Sequence, residues 1–216
     1  MSGDTRTSVA FIPSTMFGRD DNGLFDSYDE FAVETLPHPG EFLTSHNVLT
    51  DDDHIAFHRL TRELFEERTV YDMTFDYNLA RLNLDTRHTT AGYRYAVERA
   101  DAADAIAERD RFDSVLRAEF TPTTPFCPQT HTLTIGSFRA WNGLSDRHEY
   151  DLVRVRAASM HNQSEAINER LAELEAAFVE TGDVTAVPEG DTVSGSDSMR
   201  ATQNDGASRG SPNAPF

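Results

Sequence analysis

Two segments of the chain carry apolar residues at the spacing of an amphipathic helix. The first, TDDDHIAFHRLTRELFEER, starts at Thr50 and has acidic residues in its first turn, and either Thr50 or Asp51 is the predicted N-cap. Its apolar positions are Ile55, Phe57, Leu60, Leu64 and Phe65. The second segment is QSEAINERLAELEAAFVE, from Gln163, with its apolar stripe at Ile167, Leu171, Leu174 and Phe178. Both segments are predicted to be helices.

Alternation of apolar and polar residues, which is typical of strands, occurs in YRYAVERA from Tyr93, FDSVLRAEFTP from Phe112 and EYDLVRVRAA from Glu149. The segment VYDMTFDYNLARLNLD, residues 70–85, also permits a helix, but we favour a strand followed by a turn at DTRHTTAG. Short helices are predicted for residues 100–110, which are rich in alanine, and for SYDEFAVETL, capped by Ser27. The pattern leaves THTLTIGSFRAW, residues 130–141, undecided between strand and helix.

These elements predict an α+β fold in which a small mixed sheet of about three to five strands packs with helices. An irregular N-terminal arm is expected over residues 1–48, a single α+β domain over 49–182, and a disordered, acidic, Ser/Gly-rich tail over 183–216. The tail is assigned as disordered because its composition provides too little apolar surface to bury.

The charge of the chain restricts its partners. Its 216 residues carry a formal net charge of -18, and all 19 basic residues are arginine. Such a surface repels nucleic acid and anionic membranes and suits the cytosol of a halophile. Because no long apolar run or secretion signal is seen, we expect a soluble cytoplasmic protein. Acidic clusters are interpreted as solvated surface, and Arg154 and Arg156 as side chains that balance surface acid.

The stretch TPTTPFCPQTH contains the single cysteine of the chain, Cys127, between Pro125 and Pro128. One cysteine excludes an internal disulfide and any zinc site built from Cys-x-x-Cys pairs within one chain. The prolines stiffen the loop that presents the thiol, and a helix starting at Pro128 would favour the thiolate. Alternatively, Cys127 is a small buried apolar residue beside Phe126.

Three histidines are candidate metal ligands. His131 follows Cys127 by four residues and is a weak candidate for a base or a second ligand. His54 and His58 are one helical turn apart, as two zinc ligands would be, but the glutamate of the zincin motif is missing. We expect this helix to bury its other face through Phe57. Cys127 is therefore the predicted cofactor or metal contact, and no catalytic residue is assigned.

Two segments resemble the iron-sulfur cluster assembly family, which includes the cytosolic iron-sulfur assembly targeting subunits and related prokaryotic maturation domains. AEFTPTTPFCP, residues 118–128, is similar to the family's strand and its Phe-Thr-Pro-Thr-x-Pro-x-Cys loop. HNQSEAINERLAELE, residues 161–175, is similar to the family's following helix. The positions that carry this second match are His161, Asn168, Leu171, Ala172, Glu173 and Glu175. The resemblance covers about residues 112–178 and implies a helix over 129–140.

The resemblance implies an assembly or client-targeting factor, not an enzyme, in which Cys127 makes transient contact with iron or an iron-sulfur cluster. The implied partners are iron-sulfur client proteins and the assembly machinery. One thiol cannot hold such a cluster alone, so ligands would come from a client or from a homodimer. Two alternatives stay open: a thiol-dependent or metal-dependent enzyme using Cys127 with His131, and a structural interaction module in which Cys127 is buried.

Overall fold

The computed structural model describes residues 25, 35–100 and 112–186. Its α-helices are α1 (Glu41–Thr44), α2 (Asp51–Glu67), α3 (Thr130–Asn142) and α4 (Ser164–Thr181). Its strands are β1 (Asn47–Val48), β2 (Tyr71–Asp72), β3 (Tyr77–Asn78), β4 (Gly92–Val97), β5 (Val115–Thr121) and β6 (Leu152–Ala157). Short 3-10 helices span Leu79–Leu84 and Ser145–Arg147. The predicted α+β class is confirmed.

The main sheet has four strands in the order β1-β4-β5-β6, and β2 and β3 form a separate hairpin. β4 and β5 are antiparallel, whereas β5 and β6 are parallel and are connected through α3. Parallel strands end at the same edge of a sheet, so the loops that follow β5 and β6 start side by side. The register places Phe120 opposite Ala157 at this edge.

One face of the sheet forms the hydrophobic core with α2, α3 and α4. Trp141 lies fully buried in it and contacts the rings of Phe65 and Tyr93. Alternation in the strands directs Tyr93, Tyr95, Leu116, Ala118, Phe120, Val153 and Val155 to this side. The predicted strands at β4, β5 and β6 and the predicted helices at α2 and α4 are confirmed.

Helix α3 forms although its sequence is rich in threonine, which favours strands. Two hydroxyls bond to carbonyls one turn earlier, from Thr134 to Thr130 and from Ser137 to Leu133. These bonds satisfy polar atoms that the packing of Leu133, Phe138 and Trp141 brings into the interior. The predicted helix over 129–140 is confirmed, and burial of one face explains it.

The strand predicted for residues 70–85 is only partly correct. Two-residue strands form the β2-β3 hairpin, but Leu79–Leu84 is a 3-10 helix. Its start is capped by Asn78, whose side chain accepts a hydrogen bond from the backbone of Ala80. Buried leucines at 79, 82 and 84 then pack into the interior, a spacing that resembles strand alternation over part of its length.

Several predictions fall outside the described residues. They are the helix over 100–110, nearly all of the helix capped by Ser27, most of the arm, and the tail beyond residue 186. Within the described part of the arm, α1 contacts β4 and β5, and β1 pairs antiparallel with β4 as the edge strand of the main sheet. No helix in the described ranges is long and apolar enough to cross a membrane.

The histidine-bearing face of α2 is buried, contrary to the prediction. His54 and His58 are both fully buried and stack, with ring centroids 5.6 Å apart. His58 donates from Nε2 to the carbonyl oxygen of Ala80 (2.8 Å), so its Nδ1 accepts from the hydroxyl of Tyr95 (2.7 Å). The two rings are packing residues of the core, which the spacing of Phe57 and Ile55 alone did not indicate.

The other face of the sheet carries charged side chains that are mostly buried. Arg154 bonds Glu175 of α4 at 2.6 Å and lies 3.3 Å from Glu98, which also pairs with Arg117 at 2.7 Å. Arg156 pairs with Glu175 at 3.0 Å. We call this set, Glu98, Arg117, Arg154, Arg156 and Glu175, the charged layer. The prediction that Arg154 and Arg156 balance surface acid is wrong, because Arg154 is buried and both arginines pair with the buried Glu175 of α4.

Candidate functional site

The loops after the parallel strands form the candidate site, which we call the Cys127 edge. It comprises residues 122–129 between β5 and α3, residues 158–163 between β6 and α4, and the turn 73–76 of the β2-β3 hairpin. The first two loops lie together because β5 and β6 are paired to their ends. A further bond, from the backbone N–H of Ala158 to the carbonyl of Phe120 (2.8 Å), extends that pairing.

Cys127 lies on a loop held by bonds to its backbone. The carbonyl oxygen of Cys127 accepts from Nε2 of His161 (3.1 Å) and from the N–H of Thr130 (3.3 Å). The N–H of Cys127 itself donates to Thr124 (3.3 Å). Asn162 donates to the carbonyl of Pro125 (3.0 Å), so both loops are connected at two points. The thiol-bearing residue is half-buried and therefore is not sealed within the core.

His161 is the main side-chain anchor of this loop. Its Nδ1 accepts from the N–H of Gln163 (3.2 Å), so in the neutral ring Nε2 carries the proton that is donated to Cys127. The imidazole is nearly fully buried. Asn168 has a comparable role, since its amide bonds both the N–H (2.7 Å) and the carbonyl (3.0 Å) of Ala157 at the end of β6. Both side chains stabilise backbone.

The turn of the β2-β3 hairpin reaches the start of α3. The side chain of Gln129 accepts from the N–H of Met73 (3.0 Å) and donates to the hydroxyl of Thr74. Asp72 stabilises this turn by accepting from the backbone of Thr74 and Phe75. Gln129 was not singled out from the sequence, because nothing local to it indicates a contact with a residue more than fifty positions earlier.

The large hydrophobic side chains that are exposed in the described part of the chain all belong to this edge. Met73 is 81% exposed, Phe126 74% and Met160 42%. Met73 comes from the hairpin turn, Phe126 precedes the cysteine, and Met160 precedes His161 in the second loop. Apolar side chains grouped at one edge of a strongly charged molecule are typical of a contact surface for another protein.

The predicted second ligand, His131, is exposed in the first turn of α3. Among the described residues, no hydrogen bond joins its ring to Cys127. The imidazole that approaches the cysteine is that of His161, and it contacts the carbonyl oxygen and not the thiol. Nor does any group of three or more His, Cys, Asp or Glu side chains within the described ranges have an arrangement that could hold a metal ion. Any metal bound at Cys127 would therefore need ligands from elsewhere.

The fold and the Cys127 edge together define an α+β domain in which a half-buried thiol lies on the loop that follows the first of two parallel strands. The chain belongs to the family described as Domain of unknown function (DUF7998), whose model matches residues 23–185. Comparison with curated proteins found no match, and comparison with solved structures found none.

The predicted membership in the iron-sulfur cluster assembly family is wrong, because the family matched is DUF7998 and no iron-sulfur assembly family was matched. The structure shows why segments 118–128 and 161–175 are similar to that family without belonging to it. His161 and Asn168 bond backbone atoms at the ends of strands, and Leu171 is a core residue. Residues with such roles follow from the strand-loop-helix arrangement and do not specify a cluster site.

Proposed function

We propose that this chain is a non-enzymatic docking module that contacts a protein partner through the Cys127 edge. The observation that carries the proposal is the grouping of Met73, Phe126 and Met160 around one anchored loop. The formal charge of -18 favours a partner surface with an apolar centre and basic residues around it. Nucleic acid and anionic membranes are disfavoured by the same charge.

The thiol adds a specific chemistry to this contact. A thiolate is a ligand for soft or borderline metals such as zinc, copper(I) and the iron of iron-sulfur clusters. Because the described residues supply no three-ligand group, Cys127 would contribute one ligand to a centre held mainly by the partner. Iron or a transient cluster as that centre stays a prediction made from the sequence.

Affinity capture from a native high-salt lysate tests the docking surface. The bait proteins are the wild type, F126D, C127S and the control A56D, which places the same new charge on the exposed side of α2. We expect wild type and A56D to capture the same proteins and F126D to lose them. A single desolvated aromatic anchor typically accounts for about 2 kcal/mol or more, which corresponds to roughly thirtyfold in affinity. Equal capture by F126D and A56D would contradict the proposal.

The role of the thiol is tested separately, by titrating iron and sulfide into the captured complex and into the isolated chain. We expect thiolate-to-metal absorption from the wild-type complex that is lost with C127S, while capture of the partner is retained. Identical spectra for wild type and C127S would remove the metal role and leave docking unaffected.

A further inference from the structure

A cleft lies on the charged side of the sheet, between the α1 segment and the ends of β5 and β6. Its volume is about 550 Å³, which lies within the range of roughly 300–1,000 Å³ that is typical of small-molecule sites. Residues from four parts of the chain line it, among them Gly40, Phe42, Glu119, Arg156, Ser159 and Asn168. The cleft does not include Cys127 or the exposed apolar residues of the Cys127 edge.

Glu119 provides an accessible acceptor in this cleft. The residue is 4% exposed, and its Oε1 accepts from the backbone N–H of Gly40 at 2.7 Å. Its other oxygen, Oε2, accepts no hydrogen bond from any described residue. Burial raises the pKa of Glu119, although the bond from Gly40 acts in the opposite direction. A nearly buried carboxylate with one hydrogen bond is a costly arrangement, and a donor placed in the cleft would relieve that cost.

Arg156 provides donors next to this carboxylate. It lies directly opposite Glu119 in the parallel register of β5 and β6. Its Nη1 donates to the carbonyl of Val155 (2.8 Å) and forms an ion pair with Glu175 (3.0 Å), and its guanidinium lies 5.4 Å from the ring of Phe42. Within the described ranges, Nε and Nη2 make no hydrogen bond, and no ion pair joins Arg156 to Glu119. The acceptor and the donor therefore lie on adjacent strands, whose backbones are about 4.8 Å apart, and the two side chains form no ion pair with each other.

We propose that this cleft binds the zwitterionic head of a free α-amino acid, whose ammonium donates to Glu119 Oε2 and whose carboxylate accepts from Nε and Nη2 of Arg156. The two charged groups of an α-amino acid are joined through one carbon, which suits an acceptor and a donor on neighbouring strands. Arginine binds carboxylates through two parallel N–H groups, and two are available here. The side-chain amide of Asn168 bonds the backbone of Ala157, so this residue contributes to the wall of the cleft and not to ligand binding.

Calorimetric titration of the full chain with each of the twenty protein L-amino acids tests the site. We expect at least one to bind, and E119Q and R156M each to weaken it by about tenfold or more, as for the loss of a charged hydrogen bond. E63Q, on the exposed surface of α2, is the control and should bind as the wild type does. Glycine betaine has no N–H donor and should bind at least about tenfold more weakly than the best amino acid.

Gly40 allows a second variant that leaves both charges in place. A methyl group at this position would lie 2.6 Å from Glu119 Oε2, and the backbone φ of -81° is compatible with alanine. G40A should therefore displace the carboxylate and weaken binding in a chain whose circular dichroism is unchanged. Absence of binding by every amino acid, or equal binding by wild type, E119Q and G40A, would overturn the proposal. F126D should bind amino acids normally, which separates this test from that of docking.

Discussion

At the scale of single residues, the buried imidazoles of α2 are the groups most strongly altered by folding. Burial, with smaller effects of His58 and Arg94, lowers the pKa of His54 to about 2. Burial also lowers the pKa of His58 to about 4, although its bond to Ala80 acts in the opposite direction. Both rings are therefore neutral in the folded protein at pH 7, and protonation favours the unfolded chain.

This difference predicts a loss of stability on mild acidification. The unfolded chain takes up protons at these histidines near pH 6.5, but the folded chain does so only far lower. The free energy of unfolding is therefore fully retained above about pH 7 and falls as the pH drops through 6.5. At pH 5.5 each histidine accounts for a loss of about 1.4 kcal/mol, or about 3 kcal/mol together. Urea unfolding at pH 7.0 and 5.5 in constant salt measures this loss.

The matched control for the pH effect is the double variant H54Q/H58Q. Its free energy of unfolding should change much less between pH 7.0 and 5.5 than that of the wild type, even if the variant is less stable at both pH values. Glu119 acts with the opposite sign, since its raised pKa lets the folded chain bind protons first. E119Q should therefore steepen the loss or leave it unchanged. A slope that persists in the double variant would assign the pH dependence to other groups.

His161 leads to a second prediction at this scale. H161A removes the donor to the carbonyl of Cys127 and leaves the bond from Thr130, so the loop should become more mobile. We expect a loss of about 1–3 kcal/mol in the free energy of unfolding, typical of a buried hydrogen-bonded group, and faster alkylation of Cys127 in the native state. The comparison variant is H131A, because His131 is exposed on α3, the helix that follows the cysteine loop. H131A should change neither the free energy of unfolding nor the alkylation rate.

At the scale of elements, the charged layer connects α4 to the sheet. Glu175 contacts Arg154 and Arg156 on β6, and Glu98 holds Arg117 of β5 and Arg154 together. Such buried pairs depend on each other, because removing one charge leaves its partners uncompensated in the interior. Helix α4 is therefore held by apolar packing on one side and by ion pairs on the other.

E175Q should consequently destabilise the protein by about 3–5 kcal/mol, since it removes the buried carboxylate that pairs with both Arg154 and Arg156. Glu63 provides the matched comparison, because it pairs with Arg147 at 3.1 Å on the exposed surface. E63Q should cost less than about 1 kcal/mol, as exposed pairs usually do. Chemical unfolding of the two variants measures both losses in the free energy of unfolding. Similar small losses for both would show that the layer contributes little to stability.

At the scale of the whole molecule, the formal charge of -18 opposes compaction through repulsion among acidic side chains. Salt screens this repulsion over distances of about 10 Å at 0.1 M and about 3 Å at 1 M. The pairs of the charged layer are buried and are screened much less. The folded state should therefore gain stability as salt is added, because salt weakens the repulsion among surface carboxylates more than the attraction between the buried ion pairs.

Thermal unfolding in 0.1 M and 1 M KCl measures this gain, which should appear as a higher Tm at 1 M. A gain of 1 kcal/mol corresponds to about 2–4 °C for a chain of this size. Sucrose at equal osmolality separates screening from solute exclusion and should give a smaller rise. A Tm that is unchanged or lower in 1 M KCl would show that surface repulsion does not limit stability.

The local pattern of apolar and polar residues was sufficient to predict the α+β class and elements such as α2, α4, β5 and β6. In these elements one face is apolar, and the period of that face differs between helix and strand. The threonine-rich α3 and the 3-10 helix at Leu79–Leu84 could not be predicted from pattern alone, because burial and capping by distant or adjacent side chains override intrinsic preference there.

By itself the sequence determined that the chain has one thiol, that prolines flank it, and that the molecule is strongly acidic. Only the tertiary structure decided that His161 and not His131 contacts the cysteine loop, that α2 buries its histidines, and that Arg154 lies inside. It alone also placed Glu119 beside Arg156 in one cleft. Composition and periodicity act over a few residues, whereas these contacts join residues up to tens of positions apart through strand register and helix packing.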